Sequence, residues 1–173
     1  MPGVTAVGQI NALPTMDWHL RSNFDVDWKP RTQHGDAANV EDRNVAGNYF
    51  RAMGVPLLAG RTFTEADLKA KPPKALVNQQ FARQYFAEGN VIGHHLINST
   101  TQFEIIGIVG DVRGTAGSIA KPVGPEVYYL ADGYEAGRFL LCAPPCPQIS
   151  LPEQFASKYT GSIARRRYAW SRH

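Results

Sequence analysis

Apolar positions recur in short blocks, and each block has its own period. Residues 4–13 read as a first strand ended by Pro14. Phe24, Val26 and Trp28 alternate with Asp25 and Asp27, the period of two that marks a half-buried strand with its acids toward water. A polar loop over 30–39 leads to a third strand over 40–46. A short helix is expected over 48–53, with Gly54 at the left-handed position that ends helices. Residues 55–58 are extended and Gly60-Arg61 turns the chain. Thr64 is an N-cap with Asp67 three residues on, the spacing of a capping box. That helix must stop before Pro72-Pro73.

The second half is more regular. Residues 74–77 form a strand, and Asn78 caps a helix over 79–87 whose Phe81, Ala82, Tyr85 and Phe86 share one face. After a turn at Gly93, residues 94–97 are extended. The run 102–112 holds Ile105, Ile106, Ile108 and Val109, so continuous an apolar stretch that both faces should be covered. A loop over 114–124 and a strand over 127–130 follow. From 131 onward the periodicity fades.

Composition sharpens the boundary. Residues 1–137 hold twelve Lys and Arg against fourteen Asp and Glu, whereas 138–173 hold six against one. The net charge of +3 is therefore a mildly acidic body and a tail of +5, which argues against a nucleic-acid partner. Two units are expected: a folded domain over 1–137, and a basic tail over 138–173 containing Cys142 and Cys146. The spacing C-x3-C is not that of redox or zinc pairs. No stretch approaches ~18 consecutive apolar residues, and the first residues lack the basic start and apolar run of a signal peptide. By itself this sequence is expected not to insert in a membrane.

Catalytic patterns are missing. The sequence holds no P-loop, G-x-S-x-G, H-E-x-x-H or G-x-G-x-x-G. His94 and His95 are adjacent, so on a strand their rings point to opposite faces, a poor geometry for shared metal binding. Asp111 and Arg113 end the strongest strand and read first as a local ion pair. In the tail, 165–167 with Tyr168 and Trp170 mix basic and aromatic character, a weak single-strand-binding signal. The expectation is no catalytic, cofactor-binding or metal-binding residue, and no cofactor. A small enzyme built on Asp111, Arg113 and His94 or His95 remains an alternative, and it requires those side chains to converge.

One long stretch carries more information than any catalytic pattern. Tyr49-Phe50, then 53–57 (Met-Gly-Val-Pro-Leu), Gly60-Arg61, Phe63 and Thr64 to Asp67 resemble the periplasmic core domain of MacB/FtsX-like ABC transporter permeases, in the flavour of the large acidobacterial permeases. The likeness continues in order through 77–86 (Val-Asn-Gln-Gln-Phe-Ala-Arg-Gln-Tyr-Phe), 91–96, 104–113 and 125–128. The resemblance implies an α+β fold: a mixed β-sheet with two to three short helices, a porter-like strand-helix-strand part and a small, mostly β insertion. It implies a non-catalytic, extracytoplasmic domain at the periplasmic face of the bacterial inner membrane. Such a domain would transmit conformational change and contact partner proteins or exported substrate. The implied partners are the permease's membrane helices, an ABC ATPase subunit and a periplasmic adaptor. Beyond about 137 the likeness stops, which suggests a changed reading frame near 137–141. A free-standing binding module on the same fold is a further alternative and calls for a concave apolar pocket.

Overall fold

A computed structural model of the protein describes residues 5–14, 20–28, 38–86, 90–98, 101–114, 119–131 and 139–142. Cys146 and the 165–170 run lie outside the described residues, as do 30–37 of the loop expected over 30–39 and 115–118 of that expected over 114–124. The strands are β1 (Val7–Ile10), β2 (Arg21–Val26), β3 (Ala38–Gly47), β4 (Leu57–Gly60), β5 (Lys74–Asn78), β6 (His95–Asn98), β7 (Thr101–Val109), β8 (Glu126–Leu130) and β9 (Phe139–Cys142). Two short α-helices, α1 (Tyr49–Met53) and α2 (Gln79–Tyr85), and a 3-10 turn over Glu65–Lys69 complete them. This is the α+β class with a mixed sheet, as expected.

Two long strands organise the sheet. One edge of β3 runs parallel to β8, and one edge of β7 runs parallel to β5. β5 and β8 are antiparallel neighbours at the centre. On its other edge β3 first pairs β2, over Ala38 to Glu41, and then β1, over Val45 to Gly47. β7 does the same, pairing β6 over Thr101 to Glu104 and β4 over Gly107 to Val109. β2 and β6 also pair, through Asp25–Ile97 and Val26–Leu96. Six strands, β2-β6-β7-β5-β8-β3, thus form a closed ring at one end. At the other end the sheet opens and is extended by β4 on one side and by β1 and β9 on the other.

Alternation along these strands sorts the apolar side chains into two cores. Phe24, Val40, Ala75, Val77, Leu96, Ile105 and Val127 fill the inside of the ring beneath Phe81 of α2. Ile10, Val45, Leu76, Ile106, Val109 and Tyr128 face the other way, against Tyr49 and Phe50 of α1. β7 serves both cores by alternation, and its ladder shifts register between Ala75 and Leu76 of β5, which face Ile105 and Gly107. Ile106 is the extra residue, and a bulge there flips the parity, so Ile105 and Ile108 meet the first core and Ile106 and Val109 the second.

Local signals explain the short elements. Gly54 ends α1 with φ +68. Gly8 lets β1 approach α1: a Cβ there would stand 2.3 Å from the Tyr49 Cα. The Thr64 backbone N–H and hydroxyl both donate to Asp67, at 2.8 and 2.9 Å, but the turn they start is 3-10 rather than α. The Asn78 Oδ1 accepts from the Phe81 N–H and the Glu126 N–H, both at 2.9 Å, so one cap residue ties α2 to β5 and β8. β9 was not legible in the pattern. It pairs antiparallel with β1, Phe139 and Leu141 pack on the second core, and it lies beyond the expected boundary at 137.

Candidate functional site

His94 and His95 meet on one carboxylate. His94 precedes β6, so strand alternation does not separate the two rings. Their Nδ1 atoms each lie 2.9 Å from a different oxygen of Asp27, and the His95 backbone N–H donates to Asp27 Oδ2 at 2.9 Å. The expectation that these rings point apart is corrected by this position at the strand's start. Burial opposes ionisation of Asp27, but the hydrogen bonds from His95 and His94 outweigh it and hold the carboxyl below its usual range. Trp28 stacks on Phe86 with ring centres 3.8 Å apart and meets His94 edge-on at 5.3 Å. The seam between β2 and β6, with only two paired positions, is thus clasped by Asp27 and sealed by an aromatic cluster. Asp27 is exposed, as the alternation predicts, and anchors this clasp from the solvent side just past the end of β2. Among the described residues no three His, Cys, Asp or Glu side chains are grouped to hold a metal ion.

Asp111 serves α2. Its Oδ1 accepts from the Gln80 N–H at 2.8 Å, and its Oδ2 lies 3.8 Å from the Arg83 guanidinium. An acid in the first turn of a helix satisfies an orphan donor and opposes the positive end of the helix. The expected pairing with Arg113 is replaced by this contact with a helix that the sequence separates by about thirty residues. Arg113 sits in an exposed turn. His95 faces Glu104 across the β6–β7 ladder, and Asp111 lies seven residues further along β7 and its continuation. At ~3.3 Å per residue that is roughly 20 Å. Asp111 and the histidines therefore do not converge, and the small-enzyme alternative loses its requirement.

The sequence reading missed a buried charge network. Glu41 and Glu126 face each other across the parallel β3–β8 ladder, 3% and 0% exposed. Arg43 lies between them, with Nε 3.3 Å from Glu126 and Nη2 3.5 Å from Glu41. Arg21 reaches Glu41 at 2.7 Å and the Tyr128 hydroxyl donates to Glu126 at 2.7 Å. Burial and the Glu126 charge push the Tyr128 and Tyr49 hydroxyls well above the ordinary tyrosine range. Three consecutive charges, Glu41-Asp42-Arg43, inside a strand bounded by apolar residues were the available signal.

On the ring-core side of the sheet a shallow groove runs between α2 and β4, floored by Ala59 and Ile108 and walled by Leu58, Ala82 and Phe86, with Gln79 and Arg83 as its polar lining. No helix among the described residues is long and apolar enough to cross a membrane.

The model of the MacB-like periplasmic core domain family matches residues 3–141. The chain belongs to that family. It is a periplasmic domain of the kind found in MacB-like ABC transporter permeases. A curated relative, the macrolide export ATP-binding/permease protein MacB 1/2 of Paracoccus denitrificans (strain Pd 1222), is 28% identical over 93 residues, covering 53% of this chain and 14% of that protein. The chain thus matches about a seventh of that relative's length. Among solved structures it is similar to the extracellular domain of the noncanonic ABC-type transporter YknZ from Gram-positive bacteria (15% identity, 90% of this chain, 71% of that one, TM-score 0.49). It is also similar to the periplasmic region of MacB from Actinobacillus actinomycetemcomitans (16% identity, 93% and 79%, TM-score 0.48). The family match contains every block that carried the resemblance in the sequence.

Proposed function

We propose that this domain acts in a permease as a non-catalytic transmitter: it relays conformational change between membrane helices and the partner proteins or exported substrate it contacts. In that setting its partners are the permease's own helices, an ABC ATPase subunit and a periplasmic adaptor. The observation that carries the reading is the shared use of β3 and β7. Each runs as one strand from the closed ring into the open sheet, β3 paired with β8 from Glu41 to Val45 and β7 paired with β5 on both sides of its bulge, so a displacement at one end is passed to the other through two strands rather than through a loop. The separation of Asp111 from the His94–His95–Asp27 cluster supports a mechanical role over a chemical one. The free-standing binding module needs a concave pocket, and the groove beside α2 is shallow.

The test uses a permease that carries this domain. Flexible Gly-Ser linkers are inserted between the domain and each flanking membrane helix, and ATP hydrolysis and export are measured separately. Transmission predicts that hydrolysis continues while export falls. Export that is unchanged by the linkers refutes it.

A further inference from the structure

β4 is an edge. Among the described residues it pairs with β7 alone, and none of them pairs with its outer side. Exposed edge strands are usually short, charged or covered, yet Leu57 and Leu58 of β4 are 41% and 46% exposed. A register shift between Leu57 and Ala59 makes Leu58 the extra residue, and its side chain joins Ala82, Phe86 and Ile108 in the groove beside α2. Among the described residues, the one cation lining that groove has a single, long ion pair. Arg83 has a side chain 62% exposed and its guanidinium is 3.8 Å from Asp111, whose other oxygen is already taken by the Gln80 N–H. An open backbone edge, an apolar trough and an under-neutralised guanidinium lie side by side.

We propose that β4 and this groove take an extended segment of a partner protein, which adds as a strand to β4, sets bulky apolar side chains against Leu58 and Phe86, and brings a carboxylate to Arg83. Main-chain pairing supplies the affinity in this mode, and the pockets for alternate side chains supply the selectivity. The inference rests on the reading that the domain contacts partner proteins and names the surface and chemistry of that contact.

The experiment selects binders from a phage-displayed library of random peptides against the full chain. Selected peptides are then titrated against Leu58→Asp, Arg83→Glu and, as an exposed leucine elsewhere, Leu20→Asp, with thermal melts confirming that each variant folds. Enriched peptides should alternate apolar residues with Asp or Glu. They should bind Leu20→Asp as they bind the unaltered chain and lose about tenfold or more on the other two. A peptide with Lys in place of its acid should regain binding to Arg83→Glu. Peptides that ignore Leu58 and Arg83, or a library that yields none, overturn the proposal. So does a dimer in sedimentation that Leu58→Asp dissolves, because the edge then serves a second copy. Because this assay needs no transport, a failure here leaves the linker experiment standing, and the reverse holds as well.

Discussion

Replacing Asp42 by Asn should stabilise the protein at neutral pH. Asp42 is only 7% exposed, on the strand that closes the ring. One carboxylate oxygen takes the Ser22 hydroxyl, and the other is buried with no hydrogen-bond partner among the described residues. Burial pushes its pKa up to about 6 from 3.8, against the lowering effect of Ser22 and Arg43. A raised carboxyl pKa means that the folded state holds its proton more tightly than the unfolded chain. Stability is therefore greatest below pH 3.8, declines as pH rises from there through 6, and levels off above. A shift of that size corresponds to about 3 kcal/mol at ~1.4 kcal/mol per unit. Solvent screening of a partly accessible carboxylate reduces it, so a difference of about 1–2 kcal/mol is expected. Urea unfolding of both proteins at pH 7.5 and pH 4.0, followed by circular dichroism, gives the comparison directly. The Asn variant should gain relative to the unaltered protein on going from pH 4.0 to 7.5. If it is less stable by the same amount at both values, the Ser22 bond to a charged carboxylate outweighs the burial and the reasoning fails.

Phe81→Ala and Ile106→Ala remove large buried side chains from opposite faces of the sheet, 0% and 6% exposed, and each should cost roughly 2–5 kcal/mol in urea unfolding; losses below ~1 kcal/mol at both would show the two cores to be misassigned. Asp27→Asn should behave oppositely to Asp42→Asn with pH. The depressed pKa of Asp27 supplies stability that is present above pH 3.8 and lost as pH falls through the lower folded value, so the unaltered protein should melt higher at pH 7 and the gap should narrow below pH 4.

Local and periodic features were legible in the sequence; contacts between distant segments were not. The Thr64–Asp67 box, the Asn78 cap, the Gly54 stop and the α2 stripe are each written within a few residues. The double burial was read correctly for 105–109 from its apolar continuity, while Gln102 at the start of the expected run is exposed; the bulge at Ile106 that resets which face follows depends on β5, about thirty residues away. The pairing of His94 and His95 on Asp27 was missed because alternation was applied to a residue that precedes its strand. Asp111 was assigned a neighbour two positions along, when its true partner is the start of a helix that only the folded sheet brings near. β9 was hidden by its setting: its four residues are followed in the sequence by a proline-rich, basic stretch, and its place comes from β1.

The hardest feature to foresee is the Glu41–Arg43–Glu126 network, and its position gives it a sharp test. Glu41 is the last β3 residue paired with β2, and the ladder to β1 begins only at Val45. Between them β3 is held on that edge by the Asp42 N–H bond to the Leu20 carbonyl and by the two bonds that Asn11 and Asn44 exchange. The network therefore spans the junction where the closed ring gives way to the open sheet. Removing its cation should be severe. Arg43→Met removes the guanidinium that Glu41 and Glu126 share, while Glu41 keeps its contact with Arg21, and breaking a buried pair in this way costs about 3–5 kcal/mol. Replacing all three charges together by apolar residues of similar volume should restore much of that loss, because no unanswered charge remains. Urea unfolding of the single and triple variants separates the two cases. A triple variant as unstable as Arg43→Met would mean that the charges fix the geometry of the junction itself, and that burial of unpaired charge is not the source of the cost.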